Sequence, residues 1–300
     1  MEVDLHRETS HSRDQSTVRK KTYSDNLRLV FYAGLEGTGH HMFRSLMRPC
    51  VQEGFCESRC MLSAALFPGM GYSHDVEHFE DAIDQLGKGL DELRSYEEEL
   101  AKRQEQNENE RSVIIPLNTF NCNNEGVRTG EMSFPNFGGG DKAIKHVNMR
   151  VLAALAEEKG VDLRIVYLQR DSAEILRSTV LHRNFADYMR EARILLLNAE
   201  AMFTAFHLID PAFVECFQYA ELGEAWQHER IASFIGPSPD SAAWLQQTME
   251  TTFCKKEHPG DEAEDPEQLG TSPFSFESEM KIVSDHIVDH VCTGTPSVGP

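Results

Sequence analysis

Three glycines, Gly34, Gly37 and Gly39, fall close together in the chain and lead directly into His40 and His41. The run in front of them, Leu29 to Ala33, is apolar or aromatic throughout, as in a parallel strand buried on both faces. Behind them Phe43, Leu46 and Met47 recur at helical spacing, giving a helix from near Thr38 to about Gln52 with Pro49 close to its end. Strand, glycine turn and helix is the arrangement in which backbone N–H groups and a helix N-terminus cradle a phosphate. Gly34 and Gly39 have the G-x-x-x-x-G spacing of a phosphate loop, but His40 and His41 stand where an NTPase needs Lys and Ser or Thr. Those two residues bind the β/γ-phosphates and Mg²⁺. Their absence disfavours ATP or GTP hydrolysis and leaves an anion-binding loop, or a βα turn with no ligand.

A second charged position comes at the end of another apolar run. LRIVYL, Leu163 to Leu168, reads as a strand, and Arg170 and Asp171 follow it before a helix through Ile175 and Leu176. Parallel strands place their ligands beyond their carboxyl ends, so the glycine turn and Arg170 are expected on one edge of one sheet. Cys50, Cys56 and Cys60 match no C-x-x-C zinc spacing, and no metal is expected. A salt bridge to Asp171 or to a nearby helix acid is the plain structural use of Arg170.

The elements that must position these groups are legible by period. Residues 1–25 are polar and of mixed charge and are expected to form a disordered arm. Apolar residues from Val76 through Phe79, Ile83, Leu86, Leu90, Leu93, Tyr96 and Leu100 mark one stripe of a long acidic helical insertion over 76–106, with Gly87 and Gly89 weakening its middle. That stripe packs on the same chain or meets a protein partner. VIIPL at 113–117 is a further strand, and a long Asn- and Gly-rich loop with Glu125, Arg128, Glu131 and Lys142 follows as a substrate or lid loop. Helices are expected at 147–159 (ending at Gly160), 190–208, 226–235 and 242–253, a strand at 213–219, and a flexible acidic tail over 255–300 with a short helix at 280–291. Alternating strands and helices give an α/β domain over 26–254, three-layered with a parallel sheet.

Composition narrows the partners. A net charge of −20 over 300 residues disfavours nucleic acid and anionic membrane. No apolar run reaches the roughly 20 residues of a membrane span, and residues 1–17 lack the apolar core of a signal peptide. The seven cysteines are odd in number and undense, which points to a reducing compartment and a cytoplasmic protein.

Three segments, in this order, resemble the sulfotransferase family, P-loop-related enzymes that move a sulfuryl group from 3′-phosphoadenosine 5′-phosphosulfate (PAPS) to an acceptor. Gly37-Thr38-Gly39-His40-His41 stands at the family's 5′-phosphosulfate loop. YLQRDSAEILRS, Tyr167 to Ser178, is similar to its 3′-phosphate motif, in which an Arg at a strand end and a Ser eight residues on grip one phosphate. Those are Arg170 and Ser178 here. FQYAELGEAWQHERIASFIG, Phe217 to Gly236, is similar to the family's late strand, tyrosine-acidic turn and following helix. The stretch from Phe134 to Phe185 also resembles a less-studied sulfotransferase-like group.

The resemblance implies a P-loop NTPase-like fold, PAPS as cosubstrate, transfer without Mg²⁺, and an acceptor hydroxyl or amine on a carbohydrate or small molecule. It implies cofactor binding by Gly37, Thr38, Gly39, His40, His41, Arg170 and Ser178. The family's loop carries a Lys where Gly37 stands, beside Glu36, so positive charge must come from His40, His41, Arg44, Lys142 or Lys145. A general base for the acceptor proton is sought in His146 first, then His40 and Glu36, with His182 and Glu131 behind them. A kinase-like or nucleotide-hydrolysing enzyme and a catalytically silent nucleotide-binding protein remain the alternatives.

Overall fold

Leu27–Gly34, LRLVFYAG, has no charged residue after Arg28 and forms β1, buried along almost its whole length. In the computed structural model the described residues are 26–57 (apart from 36 and 40), 59, 76–117 (apart from 108 and 109), 136–137, 144–145, 148–175 (apart from 173), 178, 188–253, 278, 281–282 and 285. With β1 run β2 (Val113–Pro116), β5 (Leu163–Gln169) and β6 (Val214–Gln218), all parallel, in the order β2-β1-β5-β6. A two-residue antiparallel ribbon, β3 (Asn136–Phe137) with β4 (Ile144–Lys145), lies apart from this sheet.

Side chains of β1 and β5 alternate between two apolar layers, as a strand covered on both faces must. Leu29, Phe31, Ile165 and Tyr167 enter one layer with α2 (Val76–Gln106), α3 (Met149–Lys159) and α4 (Tyr188–His207). Val30, Tyr32, Val166 and Leu168 enter the other with α1 (His41–Gln52), α5 (Ala225–Ile235) and α6 (Pro239–Thr252). The chain is thus α/β, with a parallel sheet between helices.

The long acidic helix spends its apolar stripe inside its own chain. Leu86, Leu90, Leu93 and Leu100 are buried in the first layer, and Lys159 of α3 reaches Asp91 at 2.9 Å. Gly87 does not interrupt it; α2 is continuous over 31 residues. Other bounds shift by a turn or less. Asn148 accepts the Val151 N–H at 3.2 Å and so starts α3 at Met149 rather than 147. Thr38 closes a turn, so α1 starts at His41. Within the expected tail, residues 278, 281, 282 and 285 are helical, and residues 1–25 lie outside the described part.

One cysteine expectation changes. Cys50 and Cys56 form a disulfide across the end of α1, with Cα atoms 5.1 Å apart. Just beyond α1, Cys56 bridges Ile114, and the N–H of Glu57 donates to the Ile114 carbonyl at 2.9 Å, so this segment lines the free side of β2. Cys216 in β6 is disulfide-bonded as well. Disulfides persist in oxidising environments, so these bonds run against the reducing compartment read from cysteine number. No helix among the described residues is long and apolar enough to cross a membrane.

Candidate functional site

Chain order and sheet order diverge at β1. From β1 the chain goes to β2 on one side, and β5 then takes the other side. The crevice between the carboxyl ends of β1 and β5 is therefore the sheet's switch point, where open α/β sheets take ligands. Gly34 pairs with Leu168 at the last step of the ladder. The glycine turn and Arg170 leave the sheet side by side from there.

The turn is built by its own backbone. Thr38 is buried, and both its N–H (3.1 Å) and its hydroxyl (2.7 Å) donate to the Leu35 carbonyl. Its hydroxyl hydrogen is thus committed to shaping the loop. Gly37 and Gly39 have φ of 90° and 89°, a left-handed conformation that side-chain-bearing residues avoid. At Gly39 there is also no room, since a Cβ would lie 2.6 Å from Cε2 of Tyr219. The Met42 N–H donates to the Gly39 carbonyl at 3.0 Å and begins α1. Among the described residues no hydrogen bond takes the N–H of Gly37 or of Gly39.

Arg170 completes the crevice. Its Nη1 donates to the Gly37 carbonyl at 3.0 Å, across 133 positions of sequence. Its guanidinium lies 4.4 Å from the centre of the Tyr219 ring, and its Nε pairs with Glu174 at 2.9 Å. Asp171 is not its partner; that carboxylate accepts the Glu174 N–H at 3.1 Å, at the start of the next helical turn. Nη2 of Arg170 is engaged by no described residue. A planar cation and two backbone N–H groups that no described residue engages, beside a helix N-terminus, form a donor set suited to phosphate.

The structure therefore brings Gly37, Thr38, Gly39 and Arg170 together at the switch point. Ser178 is helical and half-buried. His41 begins α1. Glu36, His40 and His146 lie outside the described residues, as do His182, Glu131 and Lys142. Sequence reasoning met Tyr219 only as the tyrosine of the tyrosine-acidic turn in the Phe217–Gly236 resemblance and gave it no site role; the structure places it one residue beyond the end of β6, on the ligand edge. Glu174 is the nearby helix acid that sequence reasoning offered as the plain structural partner of Arg170, whereas Gln227 was assigned no role. Among the described residues no group of three or more His, Cys, Asp and Glu could hold a metal ion. Comparison with protein-family models and with curated proteins finds no match for this chain.

Proposed function

We propose that this chain is a sulfotransferase-like enzyme that transfers a sulfuryl group from PAPS to a hydroxyl or amine of a carbohydrate or small-molecule acceptor. One observation carries the reading: the bond from Arg170 to the Gly37 carbonyl joins the two places that a doubly phosphorylated adenosine compound would bridge. The glycine turn and the start of α1 would take the 5′-phosphosulfate through backbone N–H groups. Arg170, with Ser178, would take the 3′-phosphate as a guanidinium fork.

In the reaction the acceptor oxygen or nitrogen attacks sulfur opposite the bridging oxygen. The new bond to sulfur forms as the S–O bond to the 5′-phosphate breaks, and adenosine 3′,5′-bisphosphate departs with that electron pair. The acceptor proton goes to a base, for which His146, His40 and Glu36 are the candidates. With Gly37 where the family has Lys, charge on the departing phosphate falls to the loop N–H groups and to His40, His41, Arg44, Lys142 or Lys145.

The ion pair with Glu174 favours a second reading, a protein that binds nucleotide without transfer, because a phosphate must compete with that carboxylate for Arg170. Incubation with ³⁵S-labelled PAPS and a panel of glycans, phenols and amines separates the two. Label on an acceptor without Mg²⁺ supports the enzyme. Nucleotide binding with no labelled product supports the silent protein, and Mg²⁺-dependent ATP turnover supports neither.

A further inference from the structure

With β5 on one side, β6 has its other side at the margin of the described sheet, and its outward peptide groups need partners from elsewhere. The Cys216 N–H donates to Oε1 of its own neighbour Glu215 at 2.8 Å, and helix α5 supplies the other partners with side chains. Gln227 is fully buried; its Oε1 accepts the Gln218 N–H at 2.7 Å, and its Nε2 donates to the Gln218 carbonyl at 3.0 Å. One side-chain amide thus makes the pair of bonds that a residue of a neighbouring antiparallel strand would make. The same Nε2 donates to the Glu221 carbonyl at 3.0 Å, beyond the strand. His228, next in sequence, stands with Nε2 at 2.7 Å from the Leu222 carbonyl; a carbonyl only accepts, so the proton is on Nε2. Arg230 donates to the Cys216 carbonyl at 2.5 Å. The turn from Gln218 to Leu222 is therefore pinned at both ends by consecutive residues of one helix.

Tyr219 sits inside that pinned turn. Its ring fills the space a Gly39 side chain would need and lies under the Arg170 guanidinium. A shift of the turn would move the ring against both halves of the crevice. We propose that Gln227 is the positioning residue of the anion site: by fixing the 218–222 turn it sets Tyr219 between the glycine loop and Arg170. It touches neither loop nor ligand. The ligand named in the test rests on the PAPS reading above, whereas the coupling from Gln227 to the loop belongs to the chain itself.

The test is a double-mutant cycle on the full chain, read by calorimetric titration with adenosine 3′,5′-bisphosphate without Mg²⁺. Gln227→Met keeps the length of the side chain and loses its hydrogen bonds. It is expected to weaken binding about tenfold, through displacement of the turn that those bonds hold. Tyr219→Ala weakens binding too, and the double variant binds no worse than Tyr219→Ala alone, because Gln227 acts through the ring. Additive losses overturn the proposal.

Amide hydrogen exchange without nucleotide gives a second readout. Gln227→Met is expected to speed exchange in residues 37–42 as well as 218–222; acceleration confined to 218–222 overturns the coupling. If Gln227→Met does not fold, Gly39→Ala pushes on the ring from the other side and must loosen 218–222 in return. A wild-type chain that binds no adenosine 3′,5′-bisphosphate sinks the PAPS reading alone, and the exchange result then decides the coupling.

Discussion

Arg170 binds the ends of two strands together before it meets any ligand: one nitrogen holds the Gly37 carbonyl, another faces Glu174, and the plane rests on Tyr219. The Glu174 pair is the part of this arrangement a phosphate must displace. Glu174→Gln removes the competing carboxylate, and because exposed pairs of this kind are weak, nucleotide affinity should rise roughly two- to five-fold. Unchanged affinity in a calorimetric titration would mean the guanidinium binds no anion. Tyr96 offers a test by pH. Burial, with the Glu57 carboxylate accepting its hydroxyl at 2.5 Å, pushes the phenol up to about 12 from its usual 10.0. A raised value in the folded state means the stabilisation is complete below pH 10 and lost as pH climbs through about 12. Urea unfolding between pH 9 and 12 should show this decline, and Tyr96→Phe should make it shallower.

At the scale of elements, the apolar stripes announced β1, β2, β5, β6 and helices α1 to α6 to within a few residues, because burial on one or two faces writes its period into sequence. The long helix α2 carries Leu86, Leu90 and Leu93 wholly inside the first layer. Leu90→Ala should therefore cost about 2–5 kcal/mol, the usual range for a leucine truncated in a close-packed core, measured as a lower urea midpoint. Part of the site was legible for a similar reason: a glycine turn and an arginine directly after parallel strands must share an edge. The rest was not. The contacts of Tyr219 and Gln227 are closed by a short turn and by a helix packed on the strand at the margin of the described sheet, and no period records such contacts. Nor did the six-residue interval from Cys50 to Cys56 mark a disulfide. Asn198 shows the opposite mismatch, a fully buried side chain in α4 whose two amide atoms have no hydrogen-bond partner among the described residues. Asn198→Leu removes that desolvation cost at similar volume and should stabilise the fold by about 1–3 kcal/mol; destabilisation would mean the amide has a partner the fold requires.

For the molecule as a whole, the disulfides shift the setting in which the proposed chemistry is placed. Cys50, Cys56, Cys216 and the partner of Cys216 account for four of the seven cysteines. Protein purified without reductant and then denatured should accordingly titrate no more than three thiols, and seven would contradict these disulfides. The charge of −20 makes the same point about the crevice from another side. A polyanionic ligand meets an unfavourable overall field, so local donors must overcome it, and affinity should depend steeply on the one cation fixed at the switch point among the described residues. The most direct measurement is calorimetric titration of the wild-type chain and of Arg170→Ala with adenosine 3′,5′-bisphosphate in Mg²⁺-free buffer. The expected result is saturable one-to-one binding by the wild type that weakens at least tenfold in Arg170→Ala; no binding by the wild type, or equal binding by both, would contradict the site described here.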